Sequence, residues 1–178
     1  MSQRKTPKPA KLIIGFFLKE RSLARPVAEA LVKRFGHVDL VSSWMSFDYT
    51  DYYTTEMGRP LYRRMLAFTD LIEQDDLPGI KLITNGLEEQ WAKDDLRRIN
   101  IDPGYLVASR FVLASGKDFT HRVYIGQGFY ADLTLIYTQD RFQPLPWTYP
   151  DYRSEPVQQF LYKARQKYMF DISVHVTR

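Results

Sequence analysis

The chain contains no cysteine. That removes disulfides, thiolate nucleophiles and every zinc or iron–sulfur site built on sulfur. The absence suits a reducing cytoplasm, the expected location. No run of about 18 apolar residues occurs, so no membrane-spanning helix is expected. The first eleven residues lack the apolar stretch of a signal peptide. Histidine is scarce, with three in 178 residues, and they lie far apart. Several signatures are missing too. There is no G-x-x-x-x-G-K-[ST] phosphate loop, no H-E-x-x-H and no G-x-S-x-G elbow. Gly126-Gln127-Gly128 is too short for a dinucleotide fingerprint.

Against these gaps stands ample core material. Apolar residues make up 44% of the chain and aromatics 15%, enough to fill one interior. The net charge of +4 equals the four cations Arg4, Lys5, Lys8 and Lys11 of the N-terminal segment, so the rest of the chain is balanced. Residues 1–11 therefore read as a flexible basic tail, 12–172 as a single α+β domain, and 173–178 as a C-terminal tail. The basic tail carries no base-reading motif, which makes nucleic acid an unfavoured partner.

Leu12 to Leu18 is a continuous apolar run of strand length. Ser22 and Pro26 open a helix that Ala24, Val27, Ala28, Leu31 and Phe35 pattern and Gly36 closes. Val38 to Phe47 and Leu61 to Ile72 read as strands. Ile80, Ile83, Leu87 and Trp91 place a second helix over about 80–93, started by Pro78-Gly79. Tyr105 to Ala114 reads as a fourth strand. The order is that of a ferredoxin-like β-α-β-β-α-β antiparallel sheet. A hairpin, His121 to Ile125 and Phe129 to Tyr137, extends it. Phe142 to Arg153 carries three prolines and is read as a surface segment pinned by Trp147, Tyr149 and Tyr152. Ser154 then caps a final helix with a stripe of Val157, Phe160, Leu161, Ala164 and Tyr168.

Alternating strand directions put three connections at one end of such a sheet: 19–21, 48–60 and 94–104. Two of these are long, and long ordered loops tend to carry function. The candidate catalytic residues are Asp48, Asp51, Glu56 and Asp102, with His121 as a proton shuttle. The same carboxylates suit a hard cation such as Mg²⁺, or merely local turn chemistry. Arg97 and Arg98 are candidate grips for an anion, or members of a structural ion network. Asn85, Glu88 and Arg122 complete the candidate ligand-binding set. A small anionic, phosphorylated molecule is the expected ligand. A protein-interaction surface of Tyr49, Tyr52, Tyr53, Trp147 and Tyr149 is the rival, and weak nucleic-acid binding by the N-terminus is the third reading. Oligomeric state is unspecified.

Five stretches, FDYTDYY at 47–53, TNGLE at 84–88, RRINIDPGY at 97–105, HRVY at 121–124 and WTYPDYRS at 147–154, resemble one bacterial family, domain of unknown function 4416. The resemblance spans about residues 11 to 170. It implies a small stand-alone bacterial protein and no established activity. Some members are labelled GTP-binding, but this chain lacks the phosphate loop on which such a label rests.

Overall fold

The computed structural model describes residues 3–175, the last of these by backbone alone. Helices and strands build around one large antiparallel sheet. The elements are β1 (Ala10–Leu18), α1 (Ala24–Phe35), β2 (Val38–Val41), β3 (Met45–Ser46), α2 (Thr54–Met57) and β4 (Tyr62–Ile72). There follow α3 (Leu77–Trp91), β5 (Ile99–Val107), β6 (Arg110–Ser115), β7 (Arg122–Gly126), β8 (Phe129–Thr138), β9 (Arg141–Pro144) and α4 (Glu155–His175). The sheet order is β2-β4-β1-β5-β6-β8-β7, with β3 on β4 and β9 on β8.

β1 is buried along its whole length because both faces are covered. Leu12, Ile14, Phe16 and Leu18 meet Val27 and Leu31 of α1 and Ile80 and Leu87 of α3. Ile13 faces the other way, with Met65 and Ala67, onto α4. The α4 stripe Val157, Phe160, Leu161, Ala164 and Tyr168 is buried as its periodicity requires.

Several boundaries differ from the sequence reading, each for a physical reason. The basic tail does not reach residue 11. Ala10 and Lys11 are strand residues, and Lys11 is fully buried, 2.8 Å from Asp39 and 3.0 Å from Asp171. That ion pair ties the sheet to α4. Residues 173–175 belong to α4; residues 176–178 lie outside the described residues. The strand expected over 38–47 is two short strands. Between them Ser42 bonds to Met65 through both its backbone and its hydroxyl. The largest difference lies at 94–104. Ile99 to Gly104 is not loop but the first half of β5, and the expected strand over 105–114 is two strands joined at Ala108-Ser109. Pro103 is tolerated because the β6 ladder starts only at Gly104, so the missing N–H falls where β5 has no strand on that side. The expected hairpin forms β7 and β8, with positive φ at Gln127 and Gly128 as a tight turn demands. A second such turn at Gln139-Asp140 adds β9, an edge strand at the start of the segment read as lying on the surface.

Candidate functional site

Strand register places a row of polar residues on the face that α4 covers only in part. Arg63 of β4 lies opposite Phe17 of β1, which lies opposite Asn100 of β5. Gly15 lies opposite Asp102, and Gly104, Leu113, Asp132 and Arg122 continue the row across β5, β6, β8 and β7. Successive side chains on a strand alternate faces, so these residues share one face.

Arg63 is the hub. It is 1% exposed and pairs with Asp151, its Nη2 donates to the Tyr152 hydroxyl at 2.6 Å, and Asp102 sits 3.9 Å away. Its guanidinium packs against Gly15, where an added Cβ would come within 2.9 Å of Nη2. The glycine is there for close approach, not for turning. The Tyr152 and Phe47 rings complete the enclosure at 4.5 and 5.6 Å. Burial pushes the Tyr152 hydroxyl up from its ordinary range, so it stays protonated and neutral.

The network extends from Asp102 outward. Asn100 donates to Asp102 at 2.9 Å and accepts from Arg97 at 2.6 Å. Arg97 Nε then meets Glu56 at 3.3 Å. The segment near 56 and the segment near 97 thus touch, as alternating strand directions require. Arg98 binds Glu20 with both ends of its fork, which brings the third connection to the same end.

α3 closes the free side of β5. Lys81 donates to the Ile101 carbonyl at 2.9 Å, and the Ile101 N–H donates to Glu88 at 2.5 Å. Two side chains seven residues apart on one helix replace the missing strand at Ile101. Burial of Glu88 pushes its carboxyl up to about 7, with the Lys81 charge and the Ile101 N–H opposing.

A second network lies alongside. Arg122 donates to Asp132 at 2.9 Å, to Ser115 at 2.8 Å and to the Tyr149 hydroxyl at 2.7 Å. His121 approaches Asp132 at 3.3 Å and stacks on Trp147. The two networks lie along one row of the same sheet face, from Asp102 of β5 to Asp132 of β8.

An open pocket of about 300 Å³ adjoins Arg63. Arg63, Asp151, Trp44 and Tyr49 line it. Ser43, Ser46, Asp48 and Ser154 supply polar groups, the last immediately before α4.

Of the residues singled out from sequence, Glu56, Arg97, Glu88 and Asp102 are brought together, and His121 and Arg122 sit in the neighbouring network. Asp48 lines the pocket. Asp51 stands apart, exposed and paired with Arg59. Arg98 is taken up by Glu20, and the Asn85 side chain on α3 makes no hydrogen bond to another described residue. Among the described residues no group of three His, Asp or Glu side chains is placed to hold a metal ion. The acids face arginines instead. Sequence reasoning missed Arg63, Asp151 and Lys81. Only Arg63 left a trace, since it shares the face of Met65 and Ala67, where alternation calls for an apolar residue.

The fold and the site define an α+β protein with an extended antiparallel sheet and a polar, arginine-centred face beneath its terminal helix. The sequence model of a family described as domain of unknown function (DUF4416) matches residues 8–168, and the chain belongs to that family. No curated protein and no solved structure matches the chain. No helix among the described residues is long and apolar enough to cross a membrane.

Proposed function

We propose that this protein binds a small hydroxylated molecule carrying an anionic group in the pocket beside Arg63. The observation that carries the reading is the make-up of that pocket. The buried Arg63, paired with Asp151, lines it together with Trp44, Tyr49, three serines and Asp48. Its size lies at the small end of ligand sites, and apolar walls with few polar groups are what such sites use. The 21-residue α4 begins at its rim and adds partial positive charge. Serine hydroxyls and a carboxylate suit sugar-like hydroxyls. The test is a thermal-shift panel of sugar phosphates and hydroxy acids. A ligand at 100 times its Kd adds roughly 2.7 kcal/mol, which raises Tm by about 5–10 °C for a domain of this size. Ser43→Trp should fill the pocket and abolish the shift without lowering Tm. A panel that leaves Tm unmoved would sink the reading.

A ferredoxin-like reading of β1-α1-β2-β4-α3-β5 belongs to the same proposal. It is supported by the order β2-β4-β1-β5, in which every neighbour is antiparallel, and by α1 and α3 sharing one face. A bacterial, cytoplasmic setting is part of it too.

One observation favours the rival reading of an interaction surface. Tyr52 touches Tyr53; Arg122 lies over both Tyr149 and Phe119; Phe119, His121 and Trp147 stack in turn. Tyr52, Phe119, Trp147 and Tyr149 are all exposed, and clustered aromatics favour interfaces. Tyr52→Ala with Trp147→Ala should then abolish partner capture and leave small-molecule binding intact. The nucleic-acid reading has less support, because Lys11 is committed to the core.

A further inference from the structure

A second pocket, of about 400 Å³, lies between β9 and the first three turns of α4. On α4 it is lined by Glu155, Gln159, Tyr162 and Lys163, whose spacing places them on one side of the helix. The buried Phe142 contributes apolar wall. Arg141 and Arg153 bring two further cations, so three positive groups face one carboxylate.

These cations differ from most of those described above, Lys81 on its backbone carbonyl being the exception. Lys11, Arg59, Arg63, Arg97, Arg98 and Arg122 each have a carboxylate partner. Arg141, Arg153 and Lys163 pair with no carboxylate of a described residue. Glu155, the one acid, accepts from the Gln159 amide at 2.8 Å instead. Arg153 is held by backbone carbonyls alone. Its Nε donates to Thr148 at 2.8 Å and its Nη2 to Pro146 at 2.9 Å and Leu145 at 3.1 Å. Carbonyls fix the guanidinium without neutralising it. The ordering cost of this side chain is therefore met before any ligand arrives.

We infer that this groove is a binding site for a small phosphate monoester, distinct from the pocket beside Arg63. A phosphate monoester carries close to two negative charges near neutral pH. Three unpaired cations match that charge, and guanidinium forks match its oxygens. The aromatic wall and the side-chain amide of Gln159 are left for the organic group.

The test is calorimetric titration of the full chain with a sugar phosphate, the matching neutral sugar and inorganic phosphate. The sugar phosphate should bind and the neutral sugar should not. Arg141→Glu with Lys163→Glu should weaken binding at least about tenfold, with unchanged circular dichroism and melting. Ser43→Trp should leave this affinity untouched. If the double variant does not fold, Lys163→Gln gives a smaller loss in the same direction. Absence of heat from the wild type, or affinity indifferent to the groove variants, overturns the inference. So does binding lost in Ser43→Trp alone, which would assign the phosphate to the other pocket.

Discussion

The polar face of the sheet and the groove beside β9 hold the same kinds of side chain and resolve them in opposite ways. On the sheet face Arg63, Arg97 and Arg122 each find a carboxylate, and Lys81 a carbonyl of the free β5 edge. In the groove Arg141, Arg153 and Lys163 find none. Burial explains the difference. A charge removed from water and left alone costs several kcal/mol, so interior cations come with partners. A charge at an open pocket stays hydrated until a ligand displaces the water. Pairing therefore fixes the buried cations in place, whereas cations beside a cavity with no carboxylate partner keep their full charge for a ligand.

The comparison is most easily broken at Asp151. Asp151→Ala leaves the Arg63 guanidinium buried with Asp102 at 3.9 Å as its nearest remaining carboxylate. A buried pair broken from one side costs about 3–5 kcal/mol, a drop in Tm of roughly 6–20 °C at this chain length. Urea melts measure it. A cost near zero would mean that Arg63 is not structural and that the contrast with the groove is false.

Glu88 sharpens the same contrast through pH. Its side chain is 12% exposed, and burial pushes its carboxyl from 4.5 up to about 7 in the folded protein. The folded state thus holds the proton more tightly than the unfolded chain does. This contribution to stability is full below about pH 4.5 and is lost as pH rises through about 7. Its size is on the order of 3 kcal/mol at most. Glu88→Gln keeps an acceptor for the Ile101 N–H and removes the titration. Chemical denaturation from acid to neutral pH should show wild-type stability falling relative to the variant. Parallel pH profiles would show that Glu88 titrates normally and that the β5 edge is not sealed as described.

Much of the architecture was legible in the sequence. The run at 12–18, the stripes of α1 and α4 and the glycine-bounded hairpin each repeat a simple period, and periods survive into structure. The strand Ile99 to Gly104 was not legible, because Asp102-Pro103-Gly104 has the chemistry of a turn. Only the late start of β6 and the cover from α3 make a proline harmless there. The meeting of 56 with 97 followed from alternating strand directions. The identity of the hub did not follow, because Asp151 stands 88 residues from Arg63 and no local pattern links the two. Arg63 was readable as a fault in the apolar alternation, and such faults point to buried polar sites more reliably than loop composition does.

Arg98 probes the exposed end of the comparison and should give the smallest effect. It grips Glu20 with a full fork, with contacts at 2.8 to 3.1 Å, yet its side chain is 33% exposed and that of Glu20 is 51% exposed. Water screens such a pair, and ordering two long side chains offsets much of what remains, so exposed pairs contribute about 0.2–1 kcal/mol. Arg98→Ala should therefore shift the urea midpoint only slightly, and added salt should shrink the difference further. The pair does join the connection after β1 to the one before β5. If Arg98→Ala cost as much as Asp151→Ala, that junction, and not burial of the hub, would hold the loop-bearing end of the sheet together.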